Sequence, residues 1–196
     1  DTTFTSGTVV TSTWLNQIND AVYNHQINVK MDQYGATGNG TTDDTTALQA
    51  ALDAGGVIYI PPGDYKITAT LDITVDGTKI FGHGARIFHQ STTIESVFDI
   101  SQVDDVTIIG LEIDGVKSVK TAVGTAIAYG INAMGCVNLQ IESCYVHDCY
   151  EHGIRVGSTS NSDTANLSNY TRIINNYTKD NGNSANDRGY GIWAFG

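Results

Sequence analysis

The sequence is poor in proline, in cysteine and in positively charged residues, and each scarcity narrows the possible functions. Only 2 of its 196 residues are proline, whereas 21 are glycine. With abundant threonine and asparagine, this composition is typical of a β-rich protein with many tight turns. Lysine and arginine number 10 against 21 aspartate and glutamate residues, which gives a formal net charge of −11. Such a charge disfavours nucleic acid as a partner and equally disfavours electrostatic docking on anionic membranes.

Cysteines and long apolar runs are also scarce. The three cysteines, Cys136, Cys144 and Cys149, are odd in number, and the last two lie close together in the sequence. A disulfide framework is therefore not expected, and synthesis in a reducing cytosol is favoured. No apolar run approaches membrane-spanning length, and no basic-then-apolar signal opens the chain, so we expect no membrane partner.

An amphipathic pattern occupies the first part of the chain. Alternating spacings of three and four residues separate Leu15, Ile18, Val22, His25 and Val29. This spacing predicts a two-heptad helix, which a hydroxyl just before it can cap. Two heptads are marginal alone because helix nucleation is costly. We therefore favour a threefold neck over residues 1–30 that seeds a homotrimer; packing of the helix on its own domain is the alternative.

A glycine-rich loop and a second, shorter helix follow the neck. In DQYGATGNGTTDDTTALQAALDAGGVIYIPPGDYKI, the pair Thr42-Asp43 is a capping signal, and it predicts a helix over residues 43–54. Gly55-Gly56 ends this helix, and VIYI followed by Pro-Pro-Gly indicates a strand and a turn. A short helix with one apolar face ahead of a strand series is expected to cap the open end of a stack of strands.

Short phrases recur through the rest of the chain. TKIFGHGARI, VTIIGLEIDG, LQIESCYVHD and RIINNYTKDN align on Ile80, Ile108, Ile141 and Ile173, roughly thirty residues apart. Between them, an aromatic residue or histidine followed by Gly-Ile occurs three times, as YGINA, HGIRV and YGIWA. A repeat that cannot bury its own apolar face has to stack on its neighbours. The pattern predicts an all-β fold, a parallel β-helix over residues 31–196, right-handed because parallel crossovers are strongly biased to that sense.

Two segments carry a resemblance to known proteins. YGATGNGTTDDTTALQAAL with GGVIYIPPGDYKI resembles the start of the pectate-lyase-like right-handed parallel β-helix superfamily. FTSGTVVTSTWLNQINDAVYN resembles the neck that precedes this domain in bacteriophage tailspikes. The resemblance implies a homotrimer that is made in the host cytoplasm and attached through its N-terminus to a tail or baseplate protein of the virion.

The same resemblance implies an activity. Tailspikes of this kind bind and depolymerise a bacterial surface polysaccharide, a capsule or an O-antigen, by glycosidic hydrolysis or by β-elimination; we favour hydrolysis and expect no cofactor. A secreted enzyme of the pectinase or polygalacturonase type is one alternative, and a non-catalytic glycan-binding or structural fragment is another. The chain ends within the repeat GYGIWAFG, so further rungs are expected, and a catalytic centre partly or wholly beyond Gly196 stays open.

Strand alternation selects candidate substrate-binding residues. Because every second residue of a strand points inward, the isoleucines of the Gly-Ile phrases are core residues and their successors face outward. One outward lane then contains Asp99, Asn132, Arg155 and Trp193. Rungs lie ~4.8 Å apart, close to the advance of one sugar along a polysaccharide. The lane is thus a candidate sugar track, to which we add Arg188; an ordinary solvated sheet face is the alternative.

A second lane places cysteine and histidine on opposite sides of the sheet. Its outward residues are Glu112, Tyr145 and Tyr177, beside Asp114, His147 and Lys179. Cys144 falls inward by the same alternation, so it cannot share a metal with the outward His147. We therefore expect no metal site in the loosely ligand-spaced set Cys144, His147, Cys149 and His152.

The phrase YVHDCYEHGIR is the strongest cluster of reactive side chains. Glycoside hydrolysis needs two carboxyl groups roughly 5–10 Å apart, and Glu151 with Asp187, then Asp148, are the predicted catalytic residues. They precede Gly-Ile strands, where loops can flank a sugar stacked on Trp193. β-Elimination would instead use a basic residue, from the set His147, His152, Arg155 and Arg188. The alternative is that all of these are turn residues that cap backbone groups.

Overall fold

The structure is a computed structural model that describes residues 26–93, 95–121, 128–158, 170–182 and 189–195. In chain order the elements are β1 (Gln26–Asn28), β2 (Asn39–Asp43), α1 (Thr45–Ala54), β3 (Val57–Tyr59), β4 (Gly63–Ile67), β5 (Leu71–Ile73), β6 (Lys79–Phe81), β7 (Ala85–His89), β8 (Phe98–Ser101), β9 (Thr107–Ile109), β10 (Glu112–Asp114), a 3₁₀ turn (Lys117–Val119), β11 (Ile131–Met134), β12 (Gln140–Glu142), β13 (Tyr145–His147), β14 (Ile154–Gly157), β15 (Arg172–Ile174), β16 (Tyr177–Lys179) and β17 (Ile192–Ala194).

These strands form three parallel sheets, and each turn of the chain adds one strand to each sheet. Sheet A has the order β1-β3-β6-β9-β12-β15, sheet B the order β2-β4-β7-β10-β13-β16, and sheet C the order β5-β8-β11-β14-β17. Neighbouring strands within a sheet are parallel and separated by one full turn, as in β6–β9 and β9–β12. The predicted all-β parallel β-helix is therefore confirmed, and its right-handed sense stays a prediction.

The core is a set of side-chain columns that run along the helix axis. On sheet A the aligned residues Ile58, Ile80, Ile108 and Ile141 are each 0% exposed, and Ile173 packs against the same core. Ile80 pairs with Ile108, and Ile108 pairs with Ile141, so the repeat found in the sequence is one residue per rung. Burying each such side chain contributes roughly 1.5–3 kcal/mol. The apolar surface between rungs thus holds the coil together.

The turn between sheets A and B is two residues long in the last three rungs, and its conformation repeats. Its first residue is Gly110, Ser143 or Asn175, with φ of +77°, +54° and +54°. Its second residue points inward, and in the last rung this is Asn176. Asn176 accepts a hydrogen bond from the Cys144 backbone N–H at 2.9 Å and donates one to the Ile141 carbonyl at 2.8 Å. The Asn176 amide therefore satisfies the backbone of the preceding rung.

The short helix α1 closes the N-terminal end of the coil, as the sequence predicts. Leu48, Ala51 and Leu52 are its buried residues, and it ends where Gly55 adopts φ +67°. It begins at Thr45, two residues later than predicted, because Asp43 still lies in β2. Asp44 is only 1% exposed, and its carboxylate accepts hydrogen bonds from the backbone N–H groups of Thr37 and Gly38, which fixes the glycine-rich loop.

The predicted seam of the neck helix needs a correction at Val29. Strand β1 pairs with β3, with Ile27 opposite Ile58, and Val29 is 0% exposed in the core of the coil. Val29 is therefore a core residue of the first rung. Of residues 26–30, which the prediction assigned to the neck, the first three form strand β1 and the last two follow it. The other four seam residues, Leu15, Ile18, Val22 and His25, lie outside the described residues. A neck that seeds a trimer stays a prediction. Among the described residues, no helix is long and apolar enough to cross a membrane.

Candidate functional site

The long connections of the coil cluster at one corner, between sheets B and C. The described residues 90–93, 95–97, 115–121, 128–130, 148–153, 180–182 and 189–191 belong to these connections, whereas the turns between sheets A and B are short. Between sheets C and A, the connection from β14 to β15 is also long in sequence. Loops that rise from a rigid scaffold commonly carry function. The B–C corner and the adjoining outer face of sheet C are therefore the candidate site.

The outward lane of sheet C has the geometry that the sequence predicts. Asp99, Asn132, Arg155 and Trp193 are direct neighbours on consecutive rungs. Asn132 Nδ2 donates to Asp99 Oδ2 at 2.7 Å, and Arg155 Nη1 donates to Asn132 Oδ1 at 3.0 Å. The lane extends one rung further to Asp72, where burial, with the charges of Asp99 and Asp53, raises the pKa of the carboxyl group. The lane is thus one continuous polar column that ends on an indole ring.

Three aromatic rings surround the Arg155 guanidinium. Its central carbon lies 5.1 Å from the Tyr129 ring centroid, 5.3 Å from that of Trp193 and 5.0 Å from that of Phe195. Cation–π contacts at these distances orient a guanidinium and keep water from its faces. Of these three rings, only that of Trp193 was predicted from the sequence as part of the candidate site.

The repeated phrase of an aromatic residue or histidine before Gly-Ile builds a column of rings beside this lane. The His152 ring stacks on the Tyr129 ring at 5.5 Å and meets the Tyr190 ring at 5.1 Å. Its Nδ1 accepts the Tyr190 backbone N–H at 3.0 Å, so the proton of the neutral ring is on Nε2. The phrase is visible in the sequence, but its spacing alone does not predict that its first residues contact one another.

Glu151, the first predicted catalytic residue, lies beneath this column. It is 7% exposed, and its Oε1 lies 3.9 Å from His152 Nε2. The Nε2–H of the neutral imidazole faces this carboxyl group and can orient it for general acid–base chemistry. The sequence predicts Glu151 on a loop beside the lane, and the structure places it in the connection 148–153 as a buried residue. Its catalytic role stays a prediction.

Asp148 faces a different set of partners on sheet B. Its Oδ2 lies 2.9 Å from His147 Nδ1, and its Oδ1 lies 3.8 Å from Lys117 Nζ. His147 Nε2 lies 3.1 Å from Glu112 Oε1, so carboxylates flank both nitrogens of the ring. Asp148 and Glu151 therefore share one connection but not one set of contacts. Asp187 and Arg188 lie outside the described residues.

The sheet B network contains the one described group of side chains with metal-like spacing. Ligand atoms of Asp114, His147 and Asp148 lie within 4.8 Å of one another. An ion there would have to displace existing partners, because Asp114 Oδ2 binds Arg86 Nη2 at 2.5 Å and Asp148 binds His147. The network is thus a set of satisfied ion pairs. The spaced cysteines do not contribute, since Cys144 and Cys149 are 2% and 1% exposed and point into the core.

His89 is a further buried histidine, which the sequence pattern does not predict. His89 is 0% exposed, and Lys120 Nζ lies 2.6 Å from its Nδ1 and 3.2 Å from its carbonyl oxygen. Burial, reinforced by the Lys120 charge, lowers the pKa of His89 to about 4. Burial also lowers the pKa of Lys120 to about 8. No spacing pattern in the sequence predicts that the two residues meet. They meet because the chain after β10 brings Lys120 back across the preceding rung.

Comparison with known proteins agrees with the strand topology. Residues 26–103 match the family model described as rhamnogalacturonase A/epimerase, pectate lyase-like. This match covers less than half of the chain, and over these residues the chain is similar to that family. A mannuronan C5-epimerase, AlgE6 of Azotobacter vinelandii, is 49% identical over 47 residues, which make up 21% of this chain and 5% of that protein.

Two phage proteins resemble this chain over most of its length. The pre-neck appendage protein of Bacillus phage phi29 is 23% identical across 85% of this chain and 25% of that protein. A solved structure of phi29 gene product 12 has a TM-score of 0.66 at 21% identity, covering 80% of this chain and 23% of that one. ORF18 of Geobacillus virus E2 has a TM-score of 0.65 at 19% identity, covering 90% of this chain and 42% of that one. They share the fold, and the chain spans less than half of each.

Proposed function

We propose that this chain belongs to a phage tailspike-type protein that binds and depolymerises a bacterial surface polysaccharide. The observation that carries the proposal is the lane on sheet C, which presents one polar or aromatic side chain per rung for four rungs. Rungs lie ~4.8 Å apart, so consecutive sugars can meet consecutive rungs. Trp193, at the end of the lane, supplies an aromatic ring beside which a sugar can pack.

Similar proteins support the class of this function and its place in the virion. A phage pre-neck appendage protein and a mannuronan epimerase are among them, so both a particle-borne role and polysaccharide chemistry have precedent on this fold. A homotrimer attached to the tail through residues 1–25 completes the proposal. Light scattering on the intact protein tests it, because a stable monomer would contradict the trimer.

For the chemical step we propose hydrolysis, with Glu151 and Asp187 as the pair of catalytic carboxyl groups. Asp148 is the next candidate for either role. Glu151 lies on the connection before β14, and its Oε1 lies 3.9 Å from His152 Nε2. Hydrolysis needs one carboxyl protonated as acid and one ionised. Elimination would instead leave an unsaturated sugar, whose ultraviolet absorbance separates the two reactions.

The test compares three variants of the intact protein on host surface polysaccharide, with new reducing ends as the readout. Glu151→Gln and Asp187→Asn are expected to lose activity at least about 100-fold, as for removal of a catalytic acid or base. Glu142→Gln is the matched control, because Glu142 is outward on sheet A and bonded to Gln140. Near-normal depolymerisation by both site variants would place the catalytic centre elsewhere.

Binding without cleavage is the second candidate function. The burial of Glu151, at 7% exposure, favours it, because a catalytic carboxyl group has to touch the glycosidic oxygen. In this case the immobilised wild-type protein binds the polysaccharide on an affinity column, and it releases neither reducing ends nor unsaturated sugars. Release of either product by the wild type would eliminate it.

A further inference from the structure

Arg155 is a partly buried cation without an anionic partner. Among the described arginines, Arg86 on sheet B contacts Asp64, Glu112 and Asp114. Arg155 forms no ion pair with any carboxylate in the described part of the chain, although the chain carries 21 acidic residues. Arg172 also lacks such a pair, but it is exposed, so water solvates its charge.

The surroundings of Arg155 exclude water but leave some of its hydrogen-bond donors without a partner among the described residues. Three rings lie at 5.0–5.3 Å from the guanidinium, and one hydrogen bond, from Nη1 to Asn132 Oδ1, satisfies one of its donors. The Nε atom is buried and has no hydrogen-bond partner among the described residues. A desolvated charge with an unsatisfied donor is costly unless an anion completes it.

The lane itself holds the guanidinium ready without neutralising it. Asp99 Oδ2 accepts a hydrogen bond from the Asn132 amide nitrogen, which leaves the amide oxygen to face Arg155. Ser101 donates to the other Asp99 oxygen at 2.7 Å. The Asp99 carboxylate stands two rungs from Arg155, roughly 10 Å away, with a neutral amide between them. The geometry therefore orients Arg155 and keeps its charge available.

From these contacts we propose that Arg155 is an anion-binding subsite, which selects polysaccharides with an acidic group on the sugar that lies between Asn132 and Trp193. A carboxylate suits a guanidinium, whose planar donors match its two oxygens, and a sulfate ester offers the same charge and acceptors. The proposal rests on the proposed polysaccharide function of the sheet C lane and names its substrate class.

Arginine side-chain NMR of the 196-residue chain tests the subsite directly. The Nε–H signal of Arg155, assigned by its loss in Arg155→Gln, is followed during titration with glucuronate, with glucose 6-sulfate and with neutral glucose at constant ionic strength. Glucuronate or glucose 6-sulfate is expected to shift the signal saturably, and glucose is not. The stronger of the two acids identifies carboxylate or sulfate. No saturable shift with either acid, or an equal shift with glucose, overturns the proposal.

The affinities of variants for the acidic sugars give a second test. Arg155→Gln is expected to weaken glucuronate or sulfate affinity at least about tenfold, as loss of a charge-assisted hydrogen bond implies, and Arg155→Lys less so because the charge remains. Arg172→Gln is the matched control and keeps wild-type affinity. Unchanged affinity in Arg155→Gln overturns the proposal. Failure of the Glu151 and Asp187 tests alone would place the catalytic centre elsewhere and leave this subsite standing.

Discussion

The buried histidine on sheet B makes the fold sensitive to mild acid. The His89 side chain is 0% exposed, and the groups that face it are Lys120, at 2.6 Å, and Glu95, whose Oε2 lies 3.7 Å from Nε2. Burial and the Lys120 charge lower the pKa of His89 from 6.5 to about 4. Protonation of the folded protein would place a cation next to an ammonium in the core, so the folded state resists it.

The sign and size of the effect follow from this pKa difference. Between pH 6.5 and 4 the unfolded chain binds a proton at His89 that the folded chain does not bind. The free energy of unfolding therefore falls as the pH falls through this window, and the contribution is complete above pH 6.5. The pKa difference corresponds to about 3 kcal/mol. The lowered pKa of Asp43 acts below its ordinary value of 3.8, outside this window.

Urea unfolding at pH 7.5, 6.5, 5.5 and 4.5 measures the effect. Wild type is expected to lose about 2 kcal/mol across the lower three points, whereas His89→Gln, which cannot titrate, loses little there. His83→Gln is the matched control, because His83 is exposed, and it keeps the wild-type slope. Equal slopes in wild type and His89→Gln would refute the assignment of acid sensitivity to His89.

Three further changes probe the scaffold. Asp44→Ala removes the acceptor of the Thr37 and Gly38 N–H groups and is expected to cost about 3 kcal/mol in urea unfolding; a cost below 1 kcal/mol would contradict the loop-clamping role. Asn176→Ala leaves one backbone donor and one acceptor unsatisfied, so we expect a loss of roughly 1–3 kcal/mol, with a normal melting curve as the contrary result. The three cysteines are buried and burial raises the pKa of each thiol, so a thiol reagent at neutral pH should label none before urea unfolds the chain.

Features that depend on local alternation were predictable from the sequence. The column Ile80, Ile108 and Ile141, and the outward lane ending at Trp193, follow from which residues alternate within each short strand. Register between rungs was also predictable, because a shift by one residue would turn the isoleucines outward. Alternation also predicts the position of Val29. Ile27 and Val29 lie two residues apart and both pack at the core, as in a strand, and the heptad spacing that includes Val29 was coincidental.

Features that depend on how loops cover one another were not predictable. Glu151 is buried and Lys120 reaches His89 because whole connections fold across neighbouring rungs, which no residue spacing encodes. Pairing of charges was likewise hidden: Asp114 is outward by alternation but only 5% exposed, since Arg86 lies against it. Sequence pattern places side chains on a face, and tertiary packing decides which of them meet.

The phrase of a ring, glycine and isoleucine joins fold and site in one motif. Its isoleucine fills the core at Ile131 and Ile154, its glycine lets rungs approach, and its ring stands beside the outward lane of sheet C. A Cβ at Gly130 would lie 2.6 Å from the Gly153 carbonyl oxygen, and one at Gly153 would lie 2.7 Å from that of Gly191. Without these glycines the rings of His152 and Tyr190 could not stay in contact at 5.1 Å. The spacing that lets rungs stack is therefore also the spacing of the ring column, and the candidate site is periodic because the fold is.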